Sequence, residues 1–153
     1  MDQNLIPVRV TLTSIARDDQ GEEDQPIRVL TTGKLRKTPS GYMLRYEETS
    51  VDDATGQAIV SPVILAMQPG RVVMSRTGDF GTTMMFMKDT RFEGQYHTPY
   101  GEMALALFPT CVSTRLGTDK GSVRLEYQIE MNGRFVSSQT INLEYVAEGG
   151  PVC

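Results

Sequence analysis

The feature that most limits the possible folds is a ten-residue stretch, residues 122–131, in which polar and apolar side chains alternate without a break. A β-strand points successive side chains to opposite faces, so strict alternation predicts a strand with one face in a core and the other in water. The stretch belongs to a longer segment, residues 80–146, which has the pattern of successive antiparallel hairpins. The sequence therefore predicts an all-β fold. The apolar positions of the stretch are Val123, Leu125, Tyr127, Ile129 and Met131.

The register of an early hairpin follows from its turn and its apolar faces. A loop at residues 38–41 pairs Leu35 with Leu44 and Gly33 with Tyr46. Both apolar sets then lie on the same side of the sheet, as a shared core requires. The pairing also lays an aromatic ring over a glycine, which protects that position.

Two later loops align three consecutive strands in the same way. A loop at residues 88–90 sets Phe86 against Phe92. A loop at residues 98–101, with proline at its second position and glycine at its fourth, then sets Phe92 against Leu107. The three strands share one apolar face without a conflict of register.

The last hairpin contains Asn132 and Gly133, a pair that normally marks a two-residue type I′ turn. Here such a turn would put Phe135 and the apolar residues after it on the wrong face. A three-residue loop, residues 131–133, pairs Ile129 with Phe135 and makes the faces agree. We therefore expect a type I turn with Gly133 in the left-handed conformation and a G1 bulge.

About eight to ten strand-like runs separated by turn signals make up the chain, and every hairpin with a predicted register joins neighbours. We therefore expect one domain, residues 1–153, folded as a single antiparallel up-and-down β-barrel. Closure into a barrel pairs the N–H and C=O groups of the two edge strands of such a meander. At about eight strands the interior holds side chains or one small ligand.

Composition narrows the classes of function. The net charge of −4 argues against a nucleic-acid partner, because phosphate binding needs a concentrated basic surface. No run approaches the ~20 apolar residues of a membrane span, and the N-terminus has no signal-peptide pattern, so we expect a cytoplasmic protein. Cys111 and Cys153 are then reduced thiols, with Cys111 buried as a small apolar residue. Two cysteines make no metal site, and no cofactor is expected.

Several short motifs resemble those of one known family. They are Gly-Tyr-Met-Leu-Arg-Tyr-Glu-Glu at 41–48, Arg-Thr-Gly at 76–78, Met-Met-Phe at 84–86 and Tyr-His-Thr-Pro-Tyr-Gly at 96–101. In these motifs, and in the pair of strands that ends at Val146, the chain resembles the YwiB-like proteins. These form a bacterial family of unknown function found mainly in Firmicutes. The resemblance covers nearly the whole chain, and the Tyr-x-Thr-Pro-Tyr-Gly turn is its most specific element.

The resemblance implies a calycin-like (lipocalin-like) antiparallel β-barrel, in agreement with the register of the hairpins. It implies no activity, because the family has no established catalytic or binding residues. Two features depart from the family pattern, a methionine-rich strand at 84–87 and an interruption at 109–111. Because of these two features, the sequence does not determine the volume of the interior.

The chain has few residues that are suited to catalysis. A single histidine, His97, excludes His-based triads and multi-His metal sites, and its position opposite Tyr96 predicts an exposed side chain. A pair of glycines, Gly78 and Gly81, lacks the lysine and helix of a phosphate-binding loop. We expect no catalytic residues and a protein that is not an enzyme.

Arg76 is the residue with the most chemical interest. If Val72 and Met74 face inward, Arg76 also points into the barrel, where it needs a carboxylate partner or an anionic ligand. Glu48 lies on the inward set with Tyr46 and is the candidate partner. The alternative, Arg76 facing water, is equally compatible with the sequence. The candidate ligand-binding residues are Arg76, Tyr46, Glu48, Tyr96 and Tyr127.

Two hypotheses of function follow. The first is a barrel that binds a small apolar or amphipathic ligand, which is anionic if Arg76 faces inward. Nine methionines suit either an adaptable pocket or an irregular core, and the core is the favoured interpretation. The second is a protein-interaction module with a solidly packed barrel, in which the acidic loop at 17–25 and the outer faces bind a partner. A homodimer is compatible with either.

Overall fold

The fold is a closed barrel of ten antiparallel strands in the described part of the chain. The computed structural model describes residues 5–18, 20–23, 25–51, 54–77 and 81–148. Each strand pairs with its neighbours in sequence, and β1 pairs with β10 to close the wall. The strands are β1 (Ile6–Arg17), β2 (Ile27–Thr38), β3 (Gly41–Val51), β4 (Ala58–Gln68), β5 (Arg71–Arg76), β6 (Thr82–Met87), β7 (Phe92–Thr98), β8 (Gly101–Arg115), β9 (Lys120–Met131) and β10 (Arg134–Ala147).

The up-and-down topology and the strand number agree with the prediction, because each strand carries its own period-2 pattern and each turn its own signal. Among the residues that the structure describes, nothing forms an apolar helix of membrane-spanning length. Cys153 and the acidic residues Asp19 and Asp24 lie outside the described residues.

The predicted register of the β2–β3 hairpin is confirmed. Leu35 stands opposite Leu44, and Gly33 stands opposite Tyr46. The β7–β8 register is confirmed as well, with Phe92 opposite Leu107.

Between β6 and β7 the structure shows less pairing than the hairpin predicts. Thr82 pairs with Tyr96, which is the expected register, and the N–H of His97 donates to the C=O of Gly81 at 3.0 Å. No further β6–β7 pairs form in the described residues, so the predicted pairing of Phe86 with Phe92 does not form.

The last hairpin corrects the predicted loop. Met131 pairs with Arg134 across a two-residue turn, and Asn132 and Gly133 have φ values of 52° and 82°. These left-handed values are those of a type I′ turn. The register then shifts by one residue between Phe135 and Ser137, so a bulge at Val136 returns the later apolar residues of β10 to the interior. Phe135 itself is opposite Glu130 and 40% exposed, and is not an inward residue.

A second bulge corrects the expectation for Cys111. The β8–β9 register shifts between Pro109 and Cys111, so that Cys111 stands opposite the outward residue Glu126. Cys111 is therefore half-buried on the outer face and not a core residue.

The interior is filled over most of its length. Met67, Met74 and Met84 are among the buried side chains, which agrees with the core interpretation of the methionines. The largest fully buried side chains are Tyr145, Phe86, Leu35, Leu44, Leu65, Met67, Leu107, Leu125, Leu143, Val8, Val10 and Val63.

The two ends of the barrel differ. At the lower end, where the β2–β3, β4–β5, β6–β7 and β8–β9 turns lie, Tyr145 packs over Gly121, which stands directly opposite it. Its hydroxyl donates to the C=O of Gly117 at 2.8 Å and accepts from the N–H of Gly117 at 3.2 Å. Tyr145 therefore closes this end. We call the other end, which has the β1–β2, β3–β4, β5–β6, β7–β8 and β9–β10 connections, the mouth.

The wall has a wedge-shaped gap next to the mouth. β2 pairs with β3 only from Gly33 to Thr38, and β3 continues to pair with β4 as far as Val51. Residues 27–32 of β2 and 47–51 of β3 therefore have a strand partner on one side only. The two strands separate toward the mouth.

The described part of the acidic β1–β2 loop is a compact hairpin tip. The carboxylate of Asp18 accepts from the N–H groups of Gln20 and Glu22, both at 2.9 Å, and Arg17 forms an ion pair with Glu23. These contacts are the local caps of an exposed turn.

Candidate functional site at the mouth of the barrel

The inner face changes from apolar to polar at the mouth. On five strands an inward residue near the mouth is polar, while the inward residue two positions deeper is buried and apolar or aromatic. Because side chains alternate along a strand, a polar residue two positions from a core residue points to the same side. The polar residues are Ser14, Glu48, Arg76, Thr82 and Gln139, and their deeper neighbours are Leu12, Tyr46, Met74, Met84 and Ile141.

Nine of these ten residues, all except Tyr46, line a cavity of about 250 Å³. Its floor is apolar, with Leu12, Met74, Met84 and Leu105, and its rim carries the five polar side chains together with Tyr96. Tyr127, Ile129 and Met131 of β9 complete one wall. The volume is below the ~300–1,000 Å³ of pockets for drug-sized ligands, so the cavity is suited to a small molecule.

An ion pair spans the rim. Arg76 and Tyr46 both stand opposite Val63 of the intervening strand, which brings Arg76 within reach of Glu48. The Nε and Nη2 atoms of Arg76 lie 3.0 Å and 2.8 Å from Oε1 of Glu48. Both contacts use the same carboxylate oxygen, so Nη1 of Arg76 and Oε2 of Glu48 take no part in them. About a quarter of each side chain is exposed (25% and 29%), so about three-quarters of the pair is buried.

Tyr46 lies two residues deeper than Glu48 and is 2% exposed. Its hydroxyl is buried and has no hydrogen-bond partner among the described residues. Burial raises the pKa of Tyr46 well above its usual value; Glu48 raises the pKa further, and Arg76 opposes the rise. The hydroxyl therefore stays protonated and is available as a donor.

Tyr127 is the second buried tyrosine at the cavity. Its ring packs edge-on against Phe86, with centroids 4.8 Å apart and an interplanar angle of 64°. Burial raises the pKa of Tyr127, and the nearby charge of Arg76 opposes this rise. Arg76 thus interacts electrostatically with both buried tyrosines.

The structure brings the residues predicted from sequence together. Arg76, Glu48, Tyr96 and Tyr127 all line the cavity, and Tyr46 lies beside the ion pair. The open question over the orientation of Arg76 is thereby answered, because it points inward and pairs with Glu48.

The other three polar rim residues, Ser14, Thr82 and Gln139, were not predicted from the sequence. The Thr82 hydroxyl donates to the C=O of Gln95 at 3.1 Å, and the Gln139 amide donates to Ser137 at 3.3 Å. A search for polar residues that continue an apolar period-2 face would have found them.

His97 takes no part in the mouth. It is exposed on the outer face, and its Nδ1 lies 3.0 Å from a carboxylate oxygen of Glu102, the residue opposite it on β8. Within the described ranges, no group of three or more His, Cys, Asp or Glu side chains is placed to hold a metal ion.

A larger depression lies on the outer wall, away from the ion pair. It has a volume of about 650 Å³ and crosses β1 to β4, where Pro7, Lys34, Arg45 and Ile64 form one row of outward residues. Arg76 and Glu48 do not line this depression, but Tyr46 contributes to its lining beside the wedge-shaped gap.

The sequence matches the model of a family described as a domain of unknown function, DUF1934, over residues 10–143. The chain belongs to the DUF1934 family. The matched range includes every polar residue of the mouth, from Ser14 on β1 to Gln139 on β10. No curated protein is similar enough in sequence to count as a match.

A solved structure supports the fold of this DUF1934 member. The ywiB protein from Bacillus subtilis is similar over 96% of this chain and 94% of its own, with a TM-score of 0.80 and 22% sequence identity. At this identity the likeness shows the fold alone. The predicted relation to YwiB-like proteins is thus confirmed.

Proposed function

We propose that this protein is a non-enzymatic binding protein, which holds a small apolar or amphipathic molecule in the mouth of its barrel. The apolar part of the ligand packs on Leu12, Met74 and Met84, and the polar part faces Arg76 and the tyrosines. The observation that carries the proposal is the buried Tyr46 hydroxyl, which has no partner among the described residues. A buried donor without a partner is costly, so such a group favours a site that is completed by a ligand.

The proposal also includes two further expectations from the sequence. A cytoplasmic location and a calycin-like classification both remain predictions. The up-and-down meander and the polar mouth above an apolar floor are compatible with that classification.

Native mass spectrometry of protein purified gently from bacterial cells tests the proposal. We expect a native mass that exceeds the denatured mass by up to a few hundred daltons, because the cavity is small. Ser14→Phe fills the mouth and should abolish the excess, whereas Thr13→Phe, on the outward face of the same strand, should keep it. A native mass equal to the bare chain, or an excess that Ser14→Phe leaves unchanged, contradicts the proposal.

The filled interior favours a second candidate, an interaction module that binds a protein on its outer wall. Leu30 is 70% exposed and borders a depression of about 460 Å³ between β1, β2 and β10. Exposed apolar side chains in a concave region are typical of protein contacts. Cross-linking in cells should then yield a specific partner that Leu30→Glu loses. Unchanged cross-links in that variant would count against this surface.

A further inference from the structure

We propose that the mouth recognises a carboxylate, which replaces Glu48 as the partner of Arg76. This inference rests on the proposed function and specifies the chemistry of its ligand. The Glu48 side chain occupies the position that the ligand's carboxylate takes when it binds.

The first argument is the excess of hydrogen-bond donors. The Nη1 atom of Arg76 takes no part in the contacts with Glu48. The buried Tyr46 hydroxyl is a protonated donor beside the ion pair. Both groups need oxygen acceptors. A guanidinium binds the two oxygens of a carboxylate as a planar fork, a geometry that Glu48 does not reach because it uses one oxygen.

The second argument is the position of Glu48. Its strand segment, residues 47–51, has a partner only on the β4 side and borders the wedge-shaped gap. Its side chain is 29% exposed, so rotation into water is open to it. Arg76 starts from a strand paired on both sides and lies close enough to Tyr127 to interact with it electrostatically.

The third argument is the balance of charge. Once Glu48 turns away, the inner rim offers one positive charge, which a monoanion neutralises. A phosphate dianion would leave an excess of negative charge in a half-buried site, and this is unfavourable. The cavity of about 250 Å³ limits the rest of the ligand to a short apolar body.

Three probes separate these features: hexanoate, hexanamide and inorganic phosphate. Hexanoate and hexanamide share a short chain and differ in charge. Binding is measured by ligand-observed NMR and calorimetry at pH 7, with the native protein and four variants. Glu48→Gln and Arg76→Gln change the rim, and Glu47→Gln and Arg71→Gln are controls on the outward faces of the same strands.

We expect hexanoate to bind more tightly than hexanamide or phosphate. Glu48→Gln should tighten hexanoate on the order of tenfold, because it removes the competing carboxylate. Arg76→Gln should abolish the preference for hexanoate over hexanamide. Glu47→Gln and Arg71→Gln should leave all three affinities unchanged.

Other results would overturn the inference in distinguishable ways. Weaker hexanoate binding by Glu48→Gln would show that Glu48 supports the ligand and is not displaced by it. Equal binding of hexanamide, or tighter binding of phosphate, would refute the carboxylate and leave the proposed function standing. No binding of any probe to the native protein or to Glu48→Gln, with a bare native mass, would refute both. Arg76→Lys keeps the charge without the planar fork, so its affinity for hexanoate should lie between those of the native protein and Arg76→Gln. This variant replaces Arg76→Gln in the test if Arg76→Gln does not fold.

Discussion

The ion pair at the rim has a stabilising effect that its geometry allows us to estimate. A hydrogen bond to a charged group contributes about 1.5–3 kcal/mol, whereas a fully exposed ion pair contributes about 0–1 kcal/mol. Arg76 and Glu48 are each about three-quarters buried, and their two contacts share one oxygen atom. We therefore expect a coupling free energy of about 1–2 kcal/mol between the two side chains.

A double-mutant cycle measures this coupling. Glu48→Gln, Arg76→Gln and the double variant are unfolded in urea at pH 7, and the free energy of unfolding is compared with that of the native protein. Each single variant should lower the free energy of unfolding by about 1–2 kcal/mol, and the double variant should lose less than the sum. The matched control is the cycle of Arg124 and Glu126, an ion pair 3.0 Å apart with 48% and 40% exposure, where we expect less than about 0.5 kcal/mol.

Salt dependence separates the two pairs further. Raising the salt from 50 to 500 mM should weaken the exposed pair and leave most of the coupling between Arg76 and Glu48, because salt screens buried charges less. A coupling for the rim pair that is no larger than that of the control pair, or that disappears at high salt, would refute the argument from burial.

Three further predictions concern the fold. Gly121→Ala should lower the free energy of unfolding in urea by about 2–4 kcal/mol, because its Cβ would collide with the ring of Tyr145; an effect below that of Tyr145→Phe would contradict this. Asn132→Ala should cost about 1–2 kcal/mol, because Asn132 has a φ of 52° and its side chain accepts from the N–H of Ala104 at 3.0 Å. A neutral effect in thermal melts would refute this role of the turn. Stability should fall as the pH rises above about 10, because the unfolded chain then loses tyrosine protons that folded Tyr46 and Tyr127 retain, and Tyr46→Phe should reduce the slope by up to about 1.4 kcal/mol per pH unit. An unchanged slope in urea titrations from pH 9 to 11 would contradict the buried, neutral Tyr46.

The parts of the fold that depend on local patterns were predictable. Leu35 opposite Leu44 follows from a short turn and two alternating faces, and both signals lie within a dozen residues. The same alternation placed Arg76 on the face of Val72 and Met74, and an inward arginine needs a carboxylate. The sequence therefore led to the Glu48 partner as well, although it left the orientation of Arg76 open.

The last hairpin shows why the rest was not predictable. The Asn132–Gly133 dipeptide alone predicts a two-residue turn, whereas the apolar faces of β10 alone predict a three-residue loop. The protein satisfies both, because one extra residue at Val136 restores the faces after a type I′ turn. Such a bulge leaves little mark in the sequence, since exposed Phe135 and Val136 have the composition of ordinary strand residues.

The volume of the cavity could not be predicted from the sequence, for a different reason. It depends on how side chains from β1, β3 and β5 to β10 fit together across the interior, and most of these strands are far apart along the chain. Packing of this kind is set by shape rather than by the order of polar and apolar residues.

The incomplete pairing at two places in the wall has a mechanical consequence. Strands β3 to β6 form one continuously paired panel, and the remaining strands form another. The panels are joined near the mouth by the narrow β6–β7 connection around Thr82 and Tyr96, and in the lower half by the β2–β3 pairs from Gly33 to Thr38. The two incompletely paired seams therefore lie at opposite ends of the barrel, and the seam between β2 and β3 is the one that borders the mouth. Local opening breaks the fewest hydrogen bonds along such a seam, so the wall beside Glu48 is the part of the mouth that opens at the lowest cost in free energy.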